Sequence, residues 1–401
     1  MRHALSHITV LDLSRVLAGP YATMTLGDFG AQVIKIEQPG RGDDSRHWGP
    51  PFTDGGQSAY FLCANRNKRS LTLNLKTDAG QKIFRQLAAQ ADVVVENFKA
   101  GGMERLGLSY ESLRNDNPGL IYCAITGYGQ TGPDRELPGY DAVIQAQGGI
   151  MSITGPTREG TDGEPFKVGV AIVDITVGLQ AAVAILTALQ HRDRTGEGQQ
   201  IDIALYDTQL SWLANVAAGY LLSGEPPRRY GNAHGTVVPY QTFATADGHL
   251  MLAVGNDGQF ASLAEVVGEP AWADDQRFAT NPARVRFREQ LIPALAGHFR
   301  QHATDEWIRR LRAAGVPCGP VNDIPTALAA PQAEHRQMVQ TVTDGHGDRI
   351  SLVGPVPKLD RTPAQIFRPP PLLGEHTDEL LREKLALTEA EIQALHDNGV
   401  V

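Results

Sequence analysis

The sequence predicts an α/β fold built around a parallel sheet. Three observations lead there. Short β-rich runs alternate with helix-patterned runs from the N-terminus to about residue 130. Two of those runs, Asp92–Phe98 and Leu120–Ile125, are almost continuously apolar, as strands covered on both faces are. Helical stretches of about 10–15 residues separate the strands, the spacing of βαβ crossovers.

The elements follow in order. Ile8–Ser14 is a short β-rich run, and Ala18-Gly19-Pro20 opens a helix, with proline suited to its first turn. Gln32–Glu37 is a second strand, stopped by Pro39-Gly40. Ser70–Leu75 alternates with period two. Asp78–Ala91 then carries Ile83, Phe84, Leu87 and Ala88 at helical spacing. After residue 140 the pattern turns helical: Asp174–Arg192 is nearly all apolar and central, Gln199–Leu205 returns as a strand, and Gln209–Leu222 is a helix. A break at Ser223–Arg229 marks a domain boundary. From about 230 to 325 a smaller α+β block follows, with strands near Thr242 and Leu250 and helices over Phe260–Val267 and Phe287–Arg300. The tail is an extended segment containing Arg368–Gly374, then a helix. No internal repeat is present. Ligands of parallel sheets gather at the carboxyl ends of strands, which directs attention to Ser14–Gly19, Glu37–Gly42, Glu96–Lys99 and Gly127–Gly132.

Composition narrows the function. The 401 residues suggest two or three domains. At 42% hydrophobic and 20% charged, the chain is ordinary globular material, not disordered, collagenous or coiled-coil. The net charge of −9, without basic blocks, argues against nucleic acid or an anionic membrane as partner. Three cysteines without a CxxC pair point to a reducing compartment, hence the cytoplasm, and to no cysteine-based metal site. No signal peptide is evident. The apolar stretch Ala171–Leu189 holds Asp174, Thr176, Gln180 and Thr187, so it reads as a buried core helix and not a membrane span. Twelve histidines lie scattered without ligand spacing, so no metal site is expected.

Few motifs carry chemistry by themselves. Gly127–Gly132 spells GxGxxG after a strand, but a dinucleotide fingerprint needs a helix to begin there, and Pro133–Gly139 is poor helix material. Walker A, HExxH and GxSxG patterns are missing. The basic run Asn65–Arg69 reads either as a solvated loop or as an anion site. Asp174, heading an apolar segment, reads as a helix N-cap or as a buried nucleophile. Gly255-Asn256-Asp257-Gly258-Gln259 reads as a capped turn or as a mobile lid.

Taken together, several stretches resemble the class III coenzyme A transferases, the family of formyl-CoA transferase, carnitine CoA-transferase and α-methylacyl-CoA racemase. They are Leu11–Pro20 (LDLSRVLAGP), Gly30–Glu37 (GAQVIKIE), Asn67–Ser70 (NKRS), Val94–Phe98 (VVENF), Gly127–Gly129 (GYG) and Arg194–Gln199 (RTGEGQ). Gly42–Phe52, Ala233–Gln241, Gly315–Asn322 and Arg368–Gly374 resemble most the succinate–hydroxymethylglutarate CoA-transferase branch. The resemblance implies a Rossmann-like large domain built from both chain ends (1–225 and 330–401), a smaller α+β domain (226–329) and an interlocked homodimer. It implies Asp174 as a nucleophile that passes through an aspartyl anhydride and an aspartyl-CoA thioester. CoA enters as cosubstrate, with no tightly bound cofactor, and the partners are an acyl-CoA and a carboxylic acid.

The same resemblance places CoA against Val16, Leu17, Gln38, Leu73, Asn74, Leu75, Lys76, Asn97, Phe98, Lys99, Arg105 and the loop Leu137, Pro138, Gly139 and Tyr140. Formyl-CoA transferase carries glutamine at the Leu17 position and arginine at the Gln38 position. The phosphates are therefore expected to turn to Arg41 or Arg69. Gly255–Gln259 resembles the segment that covers the site in relatives. Arg15 and His234 are candidates for holding a distal substrate carboxylate. The racemase branch has a histidine where this chain has Tyr140, so CoA transfer, with a dicarboxylyl-CoA donor such as succinyl-CoA, ranks above isomerisation of a 2-methylacyl-CoA and above a non-catalytic CoA-ester-binding role.

Overall fold

A computed structural model describes residues 3–156 and 163–401. The chain divides into two units. One comprises Met1–Ile150, Val168–Leu221 and Pro331–Val401; the other comprises Met151–Lys167 and Leu222–Ala330.

In the first unit β1 (Thr9–Asp12), β2 (Gln32–Glu37), β3 (Lys68–Thr72), β4 (Val93–Glu96), β5 (Ile121–Thr126) and β6 (Gln199–Ala204) form one sheet, ordered β3-β2-β1-β4-β5-β6. Every pairing in it is parallel. Strand order reverses between β1 and β4, the switch point at which open α/β sheets hold ligands. The near-continuous apolar runs are explained by burial on both faces. Leu11, Ile34, Leu71, Val94 and Tyr122 pack under the helix Asp78–Ala88 and the C-terminal helices Thr377–Leu385 and Glu389–Asp397. Their strand neighbours Val10, Val33, Val93, Val95 and Cys123 face the opposite way, against the helices Ala18–Asp28 and Ile172–Thr195. Those two helices touch closely: a Cβ on Gly178 would fall 2.7 Å from the Ala18 carbonyl oxygen, so only glycine fits there.

The helix Ile172–Thr195 has 24 residues and is long and apolar enough to cross a membrane by length and composition, yet half of its most apolar window is buried inside the protein. It ends at Gly196 in a left-handed conformation. Its solvent side shows Leu179, Val183 and Leu186.

The edge strand β3 is covered by the returning chain. Asn67 N–H donates to the Arg368 carbonyl (3.1 Å), His376 N–H to the Ser70 carbonyl (3.0 Å), and Thr72 N–H to Thr377 Oγ1 (3.0 Å). Beyond it, Asn74 N–H donates to the Val400 carbonyl (2.8 Å). The basic run Asn65–Arg69 is thereby neither a solvated loop nor an anion site. Arg66 pairs with Asp28, Lys68 with Asp12, and Arg69 with Glu379 and Glu383. β3 also begins at Lys68, two residues before the run that the period-two pattern marks.

Other departures are local. The helix expected over Gln209–Leu222 is two, Leu205–Ser211 and Ala214–Ser223. The second unit holds the antiparallel sheet β7 (Tyr240–Ala244), β8 (His249–Ala253) and β9 (Cys318–Pro320). Helices Asp257–Val267, Arg288–Phe299 and Thr304–Ala313 close its core around Phe243, Leu252, Phe260, Leu295 and Trp307. Back in the first unit, an antiparallel hairpin, β10 (Val339–Thr343) with β11 (Arg349–Val353), precedes the extended tail.

Candidate active site

The loop leaving β1 is held from both sides at the switch point. Asp12, wholly buried, accepts from Ser14 N–H (3.0 Å), Thr23 Oγ1 (2.7 Å) and Lys68 Nζ (2.9 Å). Lys35 Nζ reaches the Ser14 carbonyl and the Asp43 carboxylate, each at 2.9 Å. Asp43 accepts from Val16 N–H (3.1 and 3.2 Å). Burial alone would raise the Asp43 carboxyl, but the Lys35 ammonium overcomes it and holds the group well below the ordinary range. From β4, Asn97 clasps Arg15 twice, accepting its N–H and donating to its carbonyl, both at 2.9 Å. Between these anchors Val16 sits at φ 66°, an unusual conformation for a β-branched residue and one that its neighbours must enforce.

Two clefts open at this rim. The first, of about 270 Å³, is lined by Gln38, Leu73, Asn74, Leu75, Lys76, Phe98 and Arg105, together with Arg15 and Glu37. Its acids are already engaged: Glu37 pairs with Arg46 and Asp43 with Lys35. Arg15, Lys76 and Arg105 have no ion pair among the described residues, and Arg15 lies over the Phe98 ring at 5.0 Å. The second, of about 180 Å³, is lined by Asn97, Phe98, Lys99, Leu137, Pro138, Gly139, Tyr140 and Asp174. Phe98 lines both clefts. Val16 and Leu17 line neither, and Leu17 is buried.

Asp174 is not the N-cap of its helix, one of the two readings its sequence position allows. The cap is Ala171, and Asp174 is the third helical residue. The capping oxygen comes from elsewhere: Asp141 Oδ1 accepts from the Val173 and Asp174 amides (2.8 and 3.4 Å). Burial, with the Asp141 charge alongside, raises the Asp174 carboxyl to about 7. Tyr60, packed edge-on to Trp48, lies in the same field: burial raises its phenol and Asp174 adds to the rise.

Of the glycines in Gly127–Gly132, Gly127 serves packing, while Gly129 and Gly132 serve the turn, at φ 93° and 94°. No helix starts there, and a Cβ on Gly127 would fall 2.6 Å from the Gly139 Cα, so the loop folds back on itself to bring Leu137–Tyr140 to the second cleft.

The model of CoA-transferase family III matches residues 5–377. The chain belongs to that family. It is 43% identical over 397 residues to a succinyl-CoA:glutarate CoA-transferase of Homo sapiens, covering 99% of this chain and 90% of that one. It is 46% identical over 384 residues to a succinate–glutarate CoA-transferase of Agrobacterium fabrum, covering 94% and 95%. A crystal structure of a CAIB/BAIF family protein from Brucella suis superposes with a TM-score of 0.85 at 45% identity, covering 96% of this chain and 100% of that one.

As a family III CoA-transferase the protein is an enzyme that uses CoA thioesters as substrates. Neither Arg41 nor Arg69, the arginines expected to take over phosphate binding, lines either cleft. Arg69 is spent on two glutamates, and Arg41 pairs with Asp44. In the second unit, His234 Nδ1 accepts from the Thr236 and Val237 amides (both 3.1 Å), which ties the ring to its own turn. Gly255–Gln259 forms the start of a helix. Asn256 caps it by accepting from Gln259 N–H (2.9 Å), Gln259 Oε1 accepts from Gly255 N–H (2.8 Å), and Asp257 pairs with the buried Arg284 (2.7 Å).

Sequence reasoning assigned no role to Asp141, Lys35, Asp43 or Glu96. Asp141, Lys35 and Asp43 each hold a distant loop or turn, at Val173, Ser14 and Val16, which no local pattern marks. Burial lifts the Glu96 carboxyl to about 8, against a hydrogen bond from Phe98 N–H (2.7 Å) that holds the turn carrying Asn97 and Phe98.

Proposed function

We propose that this CoA-transferase moves CoA from succinyl-CoA, or another dicarboxylyl-CoA, to a dicarboxylate such as glutarate, with Asp174 as the nucleophile. One observation carries the reading. A partly buried carboxylate, Asp174, lines the second cleft, which shares Phe98 with the first, and the first carries three cations without a counter-ion among the described residues. Arg15, Lys76 and Arg105 suit the phosphates of CoA. Arg15 then serves the coenzyme and not a distal carboxylate, and it supplies the positive charge that Gln38 cannot.

The steps balance through one carbonyl at a time. An Asp174 oxygen attacks the thioester carbonyl, the C–S bond breaks, and an aspartyl–succinyl anhydride and CoA thiolate result. The thiolate attacks the aspartyl carbon and releases succinate, leaving an aspartyl-CoA thioester. The acceptor carboxylate displaces the thiolate to form a second anhydride. Thiolate attack on the acceptor carbonyl then gives the new acyl-CoA and free Asp174. Water would divert each intermediate, so a closed site is required. No tightly bound cofactor enters this cycle.

We further infer a homodimer with a large domain drawn from both chain ends, and a reducing, cytoplasmic setting. Supporting the dimer, Leu179, Val183 and Leu186 are spaced along one face of the helix Ile172–Thr195 and are 45%, 60% and 38% exposed in the single chain. The free Cys63, Cys123 and Cys318 suit a reducing compartment.

The test is mass spectrometry of the Asp174 peptide after incubation with succinyl-CoA and hydroxylamine. A hydroxamate on Asp174, absent from Asp174→Asn, is the expected result, together with glutaryl-CoA formation when glutarate is supplied. Turnover with no modification at Asp174 would overturn the covalent route.

A further inference from the structure

A carboxylate at the third position of a helix normally meets free first-turn amides and the positive end of the helix dipole. Both favour its charged form and blunt it as a nucleophile. Here another carboxylate has taken those amides and sets its own charge against the dipole. Asp141 Oδ1 occupies the Val173 and Asp174 amides. Its second oxygen accepts from Gln145 Nε2 (2.7 Å), and Gln145, fully buried, accepts from Val168 N–H through Oε1 (2.8 Å). A single carboxylate thus fixes the chain that leads into Asp174, directly at the Val173 and Asp174 amides and through Gln145 at Val168.

We propose that Asp141 is a positioning residue for CoA transfer: it fixes the first turn of the helix Ile172–Thr195 and keeps a negative charge beside Asp174, so that the nucleophile is aimed into the cleft and is not quenched by its own helix. This rests on the reading of Asp174 as nucleophile. The other groups facing Asp174 are Tyr60 from the helix Ala59–Leu62, and Lys99, Arg135 and Tyr140 on the walls of the same cleft. From Ala18–Asp28 and Leu205–Ser211 the lining residues are Ala18 and Leu205, which carry no charge.

The Asp174 carboxyl stands at about 7, raised first by burial and then by Asp141. Only the carboxylate attacks, so activity falls as pH drops through that value. Removing the Asp141 charge lowers the Asp174 value and moves the fall to lower pH.

Asp141→Asn keeps an oxygen that can accept both amides, but it carries no charge and turns an NH2 toward Gln145 Nε2, so it keeps the direct bonds and gives up the one through Gln145. Asp141→Ala loses both. With succinyl-CoA and glutarate, kcat/KM is measured from about pH 5 to pH 9 for each full-length enzyme, alongside hydroxylamine trapping at Asp174. In Asp141→Asn the acid limb is expected to move down by about one pH unit, with trapping retained. At high pH, Asp141→Ala is expected to fall about tenfold or more below Asp141→Asn in kcat. A limb that overlays the unaltered enzyme overturns the electrostatic role, and equal kcat for the two variants overturns the positioning role, provided that Asp174 is still trapped. If Asp174 is not trapped even in the unaltered enzyme, the nucleophile reading falls and takes this inference with it.

Discussion

Arg15 illustrates how one side chain's surroundings decide its role. Its backbone is clamped by Asn97, and its guanidinium lies over Phe98 in the cleft shared with Lys76 and Arg105. Hydrogen bonds to charged groups are worth about 1.5–3 kcal/mol. Arg15→Ala is therefore expected to raise KM for succinyl-CoA about tenfold or more, to leave KM for the acceptor acid within about twofold, and to weaken the salt dependence of donor binding. Steady-state kinetics with both substrates varied checks this. A rise confined to the acceptor KM would return Arg15 to the substrate carboxylate. At this scale the sequence was partly legible. Asp174 announces itself as a lone carboxylate heading an apolar run. Asp141 does not, because its capping role appears only when it meets a residue 32 positions away.

Elements were legible where burial is two-sided and obscure where polar residues are buried by long-range partners. β4 and β5 declare themselves because both of their faces are covered by helices. The start of β3 is hidden because Lys68 looks like surface until Asp12 is placed against it. β10 and β11 alternate exposed and covered residues over a short span, a weak signal in a polar tail. The contact between Ala18–Asp28 and Ile172–Thr195 yields a prediction of its own. Gly178→Val would press its added side chain into the Ala18 carbonyl and the Tyr21 side chain. It is expected to cost about 1–3 kcal/mol of stability, as overpacking does, read as a lowered denaturation midpoint. An unchanged midpoint would mean that the two helices can separate freely.

For the molecule as a whole, the exposed apolar face of the helix Ile172–Thr195 is the feature that a single chain leaves unexplained. Val183 lies at its centre, 60% exposed. Val183→Glu is expected to shift the protein from dimer to monomer in light scattering while leaving the fold of a single chain intact, since nothing inside the chain needs that side chain buried. A variant that stays dimeric at low micromolar concentration would place the interface elsewhere. The parallel sheet and family chemistry were readable from one sequence. The assignment of the segment Met151–Lys167 to the second unit was not: its glycines and prolines signal a loop, but which unit a loop joins depends on contacts that no local pattern encodes.

The cover on β3 also has a consequence in time. Thr72 and its partner Thr377 are 305 positions apart. At ribosomal rates of about 5–20 residues per second, the gap between their synthesis is on the order of 15–60 s. Through that interval an edge strand stands open on the nascent chain, with the cleft wall beside it unfinished. A ribosome-bound intermediate of this protein is accordingly expected to bind holding chaperones, which ribosome-nascent-chain pull-down before and after residue 377 would read. Slow codons anywhere between positions 72 and 377 would lengthen its exposure, whereas the same codons before position 72 would not.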